Sequence, residues 1–270
     1  GSEMCIRDSI HFHPYTHTHM KIGFFVPCYI DAIHPQAAIS SYRLLKKLGL
    51  DVEFIDRGAC CGLPELDMGY TRHACTLEKG IAPMVADKGY DYVVLPSGIC
   101  TDQFRFHFNE VEQTPEVVHF RQTVHDPVEF LHDVLKVTEL PGKPSFPYRV
   151  AIHNGCHSLR YLREARPTEL MIKPFDKCAD LLKLVDGIEI GYATRRDECC
   201  GFGGTYAIWD PQCSGQQGRD KVDDYVRNGF KYVTSQDMSC MIHQQTVARK
   251  NRLDLKMFYI TEILNGDAQP

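Results

Sequence analysis

The 270-residue chain is predicted to fold as an α/β protein of two pseudo-symmetric lobes. Each lobe is expected to be a small parallel sheet with flanking helices and with cysteine ligands at the strand carboxyl ends. Three observations carry this expectation. First, one spaced cysteine pattern occurs twice, as Cys28, Cys60-Cys61-Gly62 and Cys100, then as Cys156, Cys199-Cys200-Gly201 and Cys240. Matching anchors are 128, 139 and 140 residues apart, too regular for chance placement of 12 cysteines. A repeat this long indicates two similar lobes rather than a solenoid. Second, each anchor follows a short run rich in Val, Ile, Phe or Tyr, and helical stretches separate the runs. Strand alternating with helix is the pattern of a parallel sheet. Third, residues 140–148 (LPGKPSFPY) set three prolines and a glycine between the copies and break both helix and strand. The lobes are therefore drawn as 20–143 and 144–270.

The elements follow in order. Residues 21–26 (KIGFFV) form a buried strand just before Cys28. Residues 37–48 carry apolar side chains at helical spacing and stop at Gly49, a C-cap. A strand over 52–55 runs up to the first triplet, and 90–95 (YDYVVL) is the strand before Cys100. Residues 128–137 are helical. In the second copy, 149–152 (RVAI) precedes Cys156, and a helix over 176–185 ends near Gly187. A strand over 188–192 reaches the second triplet, a helix covers 215–226, and a strand over 230–233 precedes Cys240. Open parallel sheets bind ligands beyond the carboxyl ends of their strands. Right-handed crossovers bring those ends to one edge. Four thiols spread along each half should therefore converge in space.

Residues 1–19 break with this pattern and are expected to be an extension outside the fold. Gly1-Ser2 resembles an expression scar, and Met4 to Ser9 resembles a translated adapter fragment. His11, His13, His17 and His19 read alternatively as a metal-binding tract. The stretch has neither the apolar core nor the cleavage site of a signal peptide. A cytoplasmic, reducing location is the expectation, and there grouped cysteines serve metal or redox chemistry more often than structural disulfides. A net charge of −5 gives no sign of nucleic-acid binding, and no apolar run is long enough for a membrane span.

Four thiolates favour zinc or an iron–sulfur cluster over magnesium, calcium or haem. The short C-x-x-C pairs of zinc ribbons are missing. A cluster several ångströms across accepts ligands from separate strand ends, so iron–sulfur leads, with zinc as an alternative in one half. Gly62, Gly201, Gly203 and Gly204 follow the triplets and would let the backbone approach the bound group. A dinucleotide loop is disfavoured because Cys-Cys-Gly-Phe-Gly-Gly is not G-x-G-x-x-G. A redox disulfide between adjacent cysteines closes a strained ring and ranks last.

These residues carry a resemblance. The strings GACCGLP, DECCGFGGTY and LPSGIC, inside the doubled cysteine pattern, resemble the cysteine-rich CCG-domain family of iron–sulfur proteins. Within it they are most similar to the lactate-utilisation branch. More distantly, they resemble the iron–sulfur subunit of glycolate oxidase and the cysteine-rich subunit of heterodisulfide reductase. The resemblance covers about residues 20–264. It implies a 4Fe–4S cluster, cubane or non-cubane, and electron transfer within a complex oxidising lactate, a small 2-hydroxy acid. It also implies two partners, a ferredoxin-like iron–sulfur subunit and a third small subunit. The family pattern closes each half with C-x-x-C, and its five cysteines hold the non-cubane cluster. Here Ser97 and Asp237 stand where the extra cysteines would be, which leaves a cubane, zinc or an oxygen-assisted site.

Other residues carry weaker expectations. His153 and His157 flank Cys156 and are candidates to ligate metal or to donate to a cluster sulfur. Cys75 and Cys213 follow the triplets at similar distances and read as buried small hydrophobes, with spare ligands as the alternative. Cys178 reads as core. Arg160, Arg195 and Arg196, and His107, His119, His125 and His132, read as surface. The chain has no flavin or nicotinamide signature, so it is expected to relay electrons or to hold substrate at a cluster; the alternatives are a zinc-binding interaction module without redox activity and a thiol–disulfide reductase subunit.

Overall fold

The structure, a computed structural model, describes residues 20–55 and 60–270. The expected extension over 1–19, with its histidines and Cys5, lies outside the described residues. The first half runs β1 (Lys21–Phe24), α1 (Cys28–Ile33), α2 (Pro35–Lys47), β2 (Asp51–Phe54), α3 (Leu63–Asp67), α4 (Thr71–Lys79) and α5 (Ile81–Lys88). It continues with β3 (Tyr92–Val94), α6 (Gly98–Phe106), α7 (Pro115–Thr123), β4 (Val124–His125) and α8 (Pro127–Glu129), which passes into a π-helical turn, Phe130–Val134. The second half runs β5 (Arg149–Ile152), α9 (Cys156–Arg160), α10 (Lys177–Leu182), β6 (Glu189–Gly191), α11 (Tyr206–Trp209) and α12 (Pro211–Arg227). It ends with β7 (Tyr232–Ser235), α13 (Met238–Lys250), β8 (Lys256–Tyr259) and α14 (Ile260–Leu264).

Each half holds a four-stranded sheet whose pairs are all parallel, in the orders β2-β1-β3-β4 and β6-β5-β7-β8. The two orders are the same order, so the doubled cysteine pattern reflects a doubled fold. Register agrees too. Phe24 pairs with Val94, and Ile152 pairs with Thr234, the residues 128 and 140 positions further on. β1 and β5 are central strands, each paired on both sides. Ile22, Phe24, Val150, Ala151 and Ile152 are buried, which reads in sequence as a continuous apolar run.

The fourth strand of each sheet was not expected. β4 is two residues long, too brief for periodicity to show, and β8 spans Lys256–Tyr259. Their ends match nonetheless. Both lead straight into a helix: Asp126 Oδ1 accepts from Glu129 N–H at 2.8 Å, and Glu262 Oε2 accepts from Tyr259 N–H at 2.7 Å. The helix expected over 128–137 begins as α8 and closes in the π-helical turn.

The halves do not have separate interiors. One apolar core takes in Ile22, Phe24 and Leu44 of the first half with Val150, Leu182, Tyr225 and Ile263 of the second. A second core stays in the first half around Phe104, which is fully buried and packs edge-on against Phe120 at 5.0 Å. Burying one such ring stabilises by about 2–3 kcal/mol. Packing between the halves is reciprocal: α2 lies against α14, and α10 lies against α8 and its π-helical turn. The buried hydroxyls of Ser41 and Thr261 meet at 2.8 Å in the first of these contacts.

Candidate metal centres

Every anchor cysteine lies beyond the carboxyl end of a strand, at the start of a helix or in the loop that leads to one. Cys28 and Cys156 open α1 and α9 after β1 and β5. The triplets follow β2 and β6. Cys100 and Cys240 lie in the first turns of α6 and α13, after β3 and β7. In the first half Cys28 acts on Cys60, Cys60 on Cys61, and Cys61 on Cys100. In the second, the same chain runs Cys156, Cys199, Cys200, Cys240. Thus the structure brings each expected set of four thiols together. Cys61, Cys100, Cys200 and Cys240 are buried, while Cys28 is exposed. All described cysteines are free thiols.

The two sets share an electrostatic pattern. The thiols of Cys28 and Cys61 stabilise a thiolate at Cys60 and pull it down to about 3, against the cost of burial. The thiols of Cys156 and Cys200 do the same for Cys199, pulling it down to about 2. Their neighbours move the other way. Cys28 and Cys156 rise through their interaction with that thiolate and through burial. Cys61 and Cys200 rise through their thiol neighbours and burial. In each set the first cysteine of the triplet is thus the favoured thiolate, and a cation would draw protons off its raised neighbours.

The Cys-Cys-Gly turn is what lets adjacent residues serve one centre. Gly201 has φ of +85°, and a Cβ there would lie 2.6 Å from Cβ of Gln217 and 2.7 Å from the Ser214 carbonyl oxygen. Only glycine supplies both the backbone and the close approach to α12. The turn aims two amides at sulfur: Gly201 N–H donates to Cys199 Sγ at 3.3 Å and Phe202 N–H to Cys200 Sγ at 3.4 Å. Gly62 takes the same left-handed conformation, φ +77°, and leads into α3. Gly203 and Gly204 turn the chain into α11 and pack against Tyr206 and Asp67.

His153 joins the second set. One of its ring nitrogens lies within 4.8 Å of both Cys200 and Cys240 sulfurs, and the three are buried. Its Nδ1 meets the Tyr225 hydroxyl at 3.2 Å, while Nε2 has no hydrogen-bond partner among the described residues. Burial pushes the imidazole down to about 3, so it is neutral and free to ligate. The residue 128 positions earlier is Phe25, so the halves differ here, and aligning the repeat at that offset exposes the difference.

The remaining candidates lie apart. His157 turns from the sulfurs to the buried carboxylate of Asp102, Nδ1 to Oδ2 2.5 Å. Arg160 pairs with Glu169, Arg195 with Glu198, and Arg196 with Asp176. Cys178 is core, as expected, and Cys75 packs on the first-half core. Cys213 is exposed, contrary to its expected burial, because α12 turns that face to solvent. His119 lies on the surface as expected, while His125 is half-buried, in edge contact with Tyr92 and Phe130.

Ser97 and Asp237, in place of the family's extra cysteines, cap α6 and α13. Ser97 Oγ accepts from Cys100 N–H at 3.3 Å and from the Tyr29 hydroxyl at 2.9 Å. Asp237 Oδ1 accepts from Ser239 N–H and Oγ, at 3.2 and 2.7 Å, and its Oδ2 accepts from Ile99 N–H at 3.0 Å. That carboxylate is already committed to hydrogen bonds. Asp102 was missed in the sequence because it stands opposite Ile242 in the repeat and so has no counterpart.

Each half thus presents four convergent thiols, the donor set that soft metals and iron–sulfur clusters take. Among the described residues no helix is long and apolar enough to cross a membrane. The CCG cysteine-rich domain matches twice, over residues 22–105 and 150–244. Lactate utilization protein A of Bacillus pumilus is 30% identical over 253 residues, covering 92% of this chain and 100% of that protein. The protein of the same name from Macrococcus caseolyticus is 29% identical over 255 residues, covering 93% and 98%. That of Oceanobacillus iheyensis is 30% identical over 251 residues, covering 91% and 97%. The doubled domain and the full-length likeness agree with the doubled sheet and thiol sets, and the chain belongs to the CCG cysteine-rich-domain family, alongside the lactate utilization proteins A.

Proposed function

We propose that this chain is an electron-carrying iron–sulfur subunit of a lactate-oxidising assembly. The observation that carries the reading is the gathering of four thiols at the sheet edge of each half, with one thiolate favoured in each set. The likeness to lactate utilization proteins A supplies the metabolic setting. A bound 4Fe–4S cluster would supply one-electron transfer. Cys28, Cys60, Cys61 and Cys100 would hold one centre, and Cys156, Cys199, Cys200 and Cys240 the other. In the second half the amides of Gly201 and Phe202 donate to sulfur, which sets a cluster's potential. His153 would add an imidazole donor there, and Tyr225 orients its ring. With no flavin or nicotinamide motif, the chain accepts electrons rather than hydride. The partners are a ferredoxin-like iron–sulfur subunit and a third small subunit, in the cytoplasm.

The test is anaerobic. Iron-loaded chain is mixed with the two partner subunits and L-lactate, and its visible absorption is followed. Bleaching that requires lactate and both partners is the expected result. A chain bleached by dithionite but untouched by lactate with the partners present would overturn the electron-carrying role. A second reading has its own observation: the His153, Cys200 and Cys240 grouping also suits zinc. A colourless second half loaded with zinc would establish it.

A further inference from the structure

The two thiol sets are joined by a polar seam that the repeat did not announce. Helices α6 and α9, which open beside Cys100 and at Cys156, pack against each other across the halves. Two buried carboxylates cross this seam in opposite directions. Asp237 stands three residues before Cys240, and its Oδ2 accepts from the N–H of Ile99, the residue next to Cys100 in the other half. Asp102 stands two residues after Cys100, and its Oδ2 meets Nδ1 of His157, the residue next to Cys156 in the other half. Both carboxylates are almost wholly buried, at 1% and 0% exposure, so neither bond is exchangeable for water without opening the seam. The seam is tight. A Cβ on Gly98 would meet Ser158 Oγ at 1.9 Å, and one on Gly155 would lie 3.1 Å from Cβ of Asp237.

We infer that Asp237 and Asp102 are positioning residues that brace each thiol centre from the opposite half, so that the two centres fill with metal as a pair. The inference rests on the metal-binding reading above. Each carboxylate sits within three residues of a thiol of its own half and grips the neighbour of a thiol in the other. Metal at the second centre fixes the Cys240 turn, hence Asp237, hence the start of α6 that presents Cys100. Metal at the first centre fixes Cys100, hence Asp102, hence His157 and the start of α9 that presents Cys156. The cost of ordering the seam falls on the first ion and is spared the second, which is positive cooperativity without a change of fold. Ser97 illustrates the contrast. It occupies the position equivalent to Asp237, but among the described residues its hydroxyl bonds within its own half, to Cys100 N–H and Tyr29.

The test uses cobalt(II) alone as the probe, added anaerobically to the reduced full chain. Native mass spectrometry counts ions per chain, and thiolate-to-cobalt absorption reports ligation. The expected result is that unloaded and doubly loaded chains dominate throughout, with singly loaded chain a minor species. Single-site affinities are then read with the opposite set disabled. Where Cys199 and Cys200 are serine, Asp237→Ala should weaken binding at the intact first set by roughly ten-fold or more, as lost outer-shell support does. Where Cys60 and Cys61 are serine, Asp102→Ala should weaken the intact second set likewise. Asp237→Asn keeps an acceptor for Ile99 N–H and should recover part of the loss, which a mere loss of fold would not allow. Singly loaded chain making up half the population at mid-titration overturns the inference. So do losses confined to the half that carries the substitution. Should a variant not fold, the wild-type species distribution alone decides. If wild-type chain binds no cobalt at all, the metal-binding reading falls and takes the inference with it.

Discussion

Gly98→Ala probes the seam most sharply. Gly98 opens α6, and in a free helix alanine would be favoured there by up to about 1 kcal/mol. The structure reverses that sign. An added Cβ would sit 1.9 Å from Ser158 Oγ, 3.3 Å from Ser158 Cβ and 3.5 Å from Asp237 Oδ2. Ser158 is fully buried and its hydroxyl has no partner among the described residues, so rotating it breaks no bond but finds little room. Overpacking of this kind costs about 1–3 kcal/mol. In a chain of this size each kcal/mol lowers Tm by roughly 2–4 °C. Ser158→Ala alone should be close to neutral, since it removes an unpaired buried hydroxyl. Combined with Gly98→Ala it removes the 1.9 Å contact and leaves the milder ones at 3.3 and 3.5 Å. Thermal and urea melts of the four chains give the coupling energy, which should exceed about 0.5 kcal/mol in the direction of rescue. A Gly98→Ala chain as stable as wild type, or one equally destabilised with alanine at 158, would refute the close seam.

Three further outcomes are expected. Asp126 and Glu164 face each other fully buried; burial pushes Asp126 up from 3.8 to about 6, and burial together with the Asp126 charge pushes Glu164 up. Both folded-state values lie above the unfolded ones, so this stability is complete below about pH 4 and is lost as pH rises through about 6. At about 1.4 kcal/mol per unit, the Asp126 part is about 3 kcal/mol. Asp126→Asn still caps its helix and gives Glu164 a permanent donor. Melts of metal-free chain from pH 5 to 8 should therefore be flatter than wild type, and parallel curves would contradict this. His153→Phe copies the first half, where Phe25 stands. It should weaken cobalt binding at the second set by roughly ten-fold or more while leaving the first unchanged, read by titration of chains with one set disabled. Removal of residues 1–19 should leave Tm and metal content as they are, which thermal melts and elemental analysis check.

The fold was legible where the sequence repeats itself. The offsets between Cys28 and Cys156, and between Cys100 and Cys240, are the offsets at which β1 matches β5 and β3 matches β7. The triplets and their glycines gave away the thiol sets, because close backbone approach leaves few substitutes at Gly201. What escaped was whatever breaks the repeat or joins its copies. His153 was a candidate through its nearness to Cys156, while the cross-half contacts of Asp237, which replaces Ser97, and of Asp102, which replaces an apolar residue, leave no pattern in the sequence. Their partners, Ile99 and His157, lie 138 and 55 residues away, beyond the reach of helix or strand periodicity. β4 was missed because a two-residue strand owes its place to a neighbour rather than to its own composition, and β8, as long as β1, precedes no cysteine anchor, so the repeat did not mark it.

The central claim is that each half gathers four thiols into one metal centre. Iron, zinc and acid-labile sulfide per chain, measured on protein purified without oxygen, test it most directly when wild type is set beside chains with Cys60 and Cys61, or Cys199 and Cys200, changed to serine. The account predicts brown wild-type protein with iron and sulfide in equal amounts, and a loss of metal with either pair replaced. Wild-type chain free of iron, sulfide and zinc, or metal content indifferent to both replacements, would contradict it.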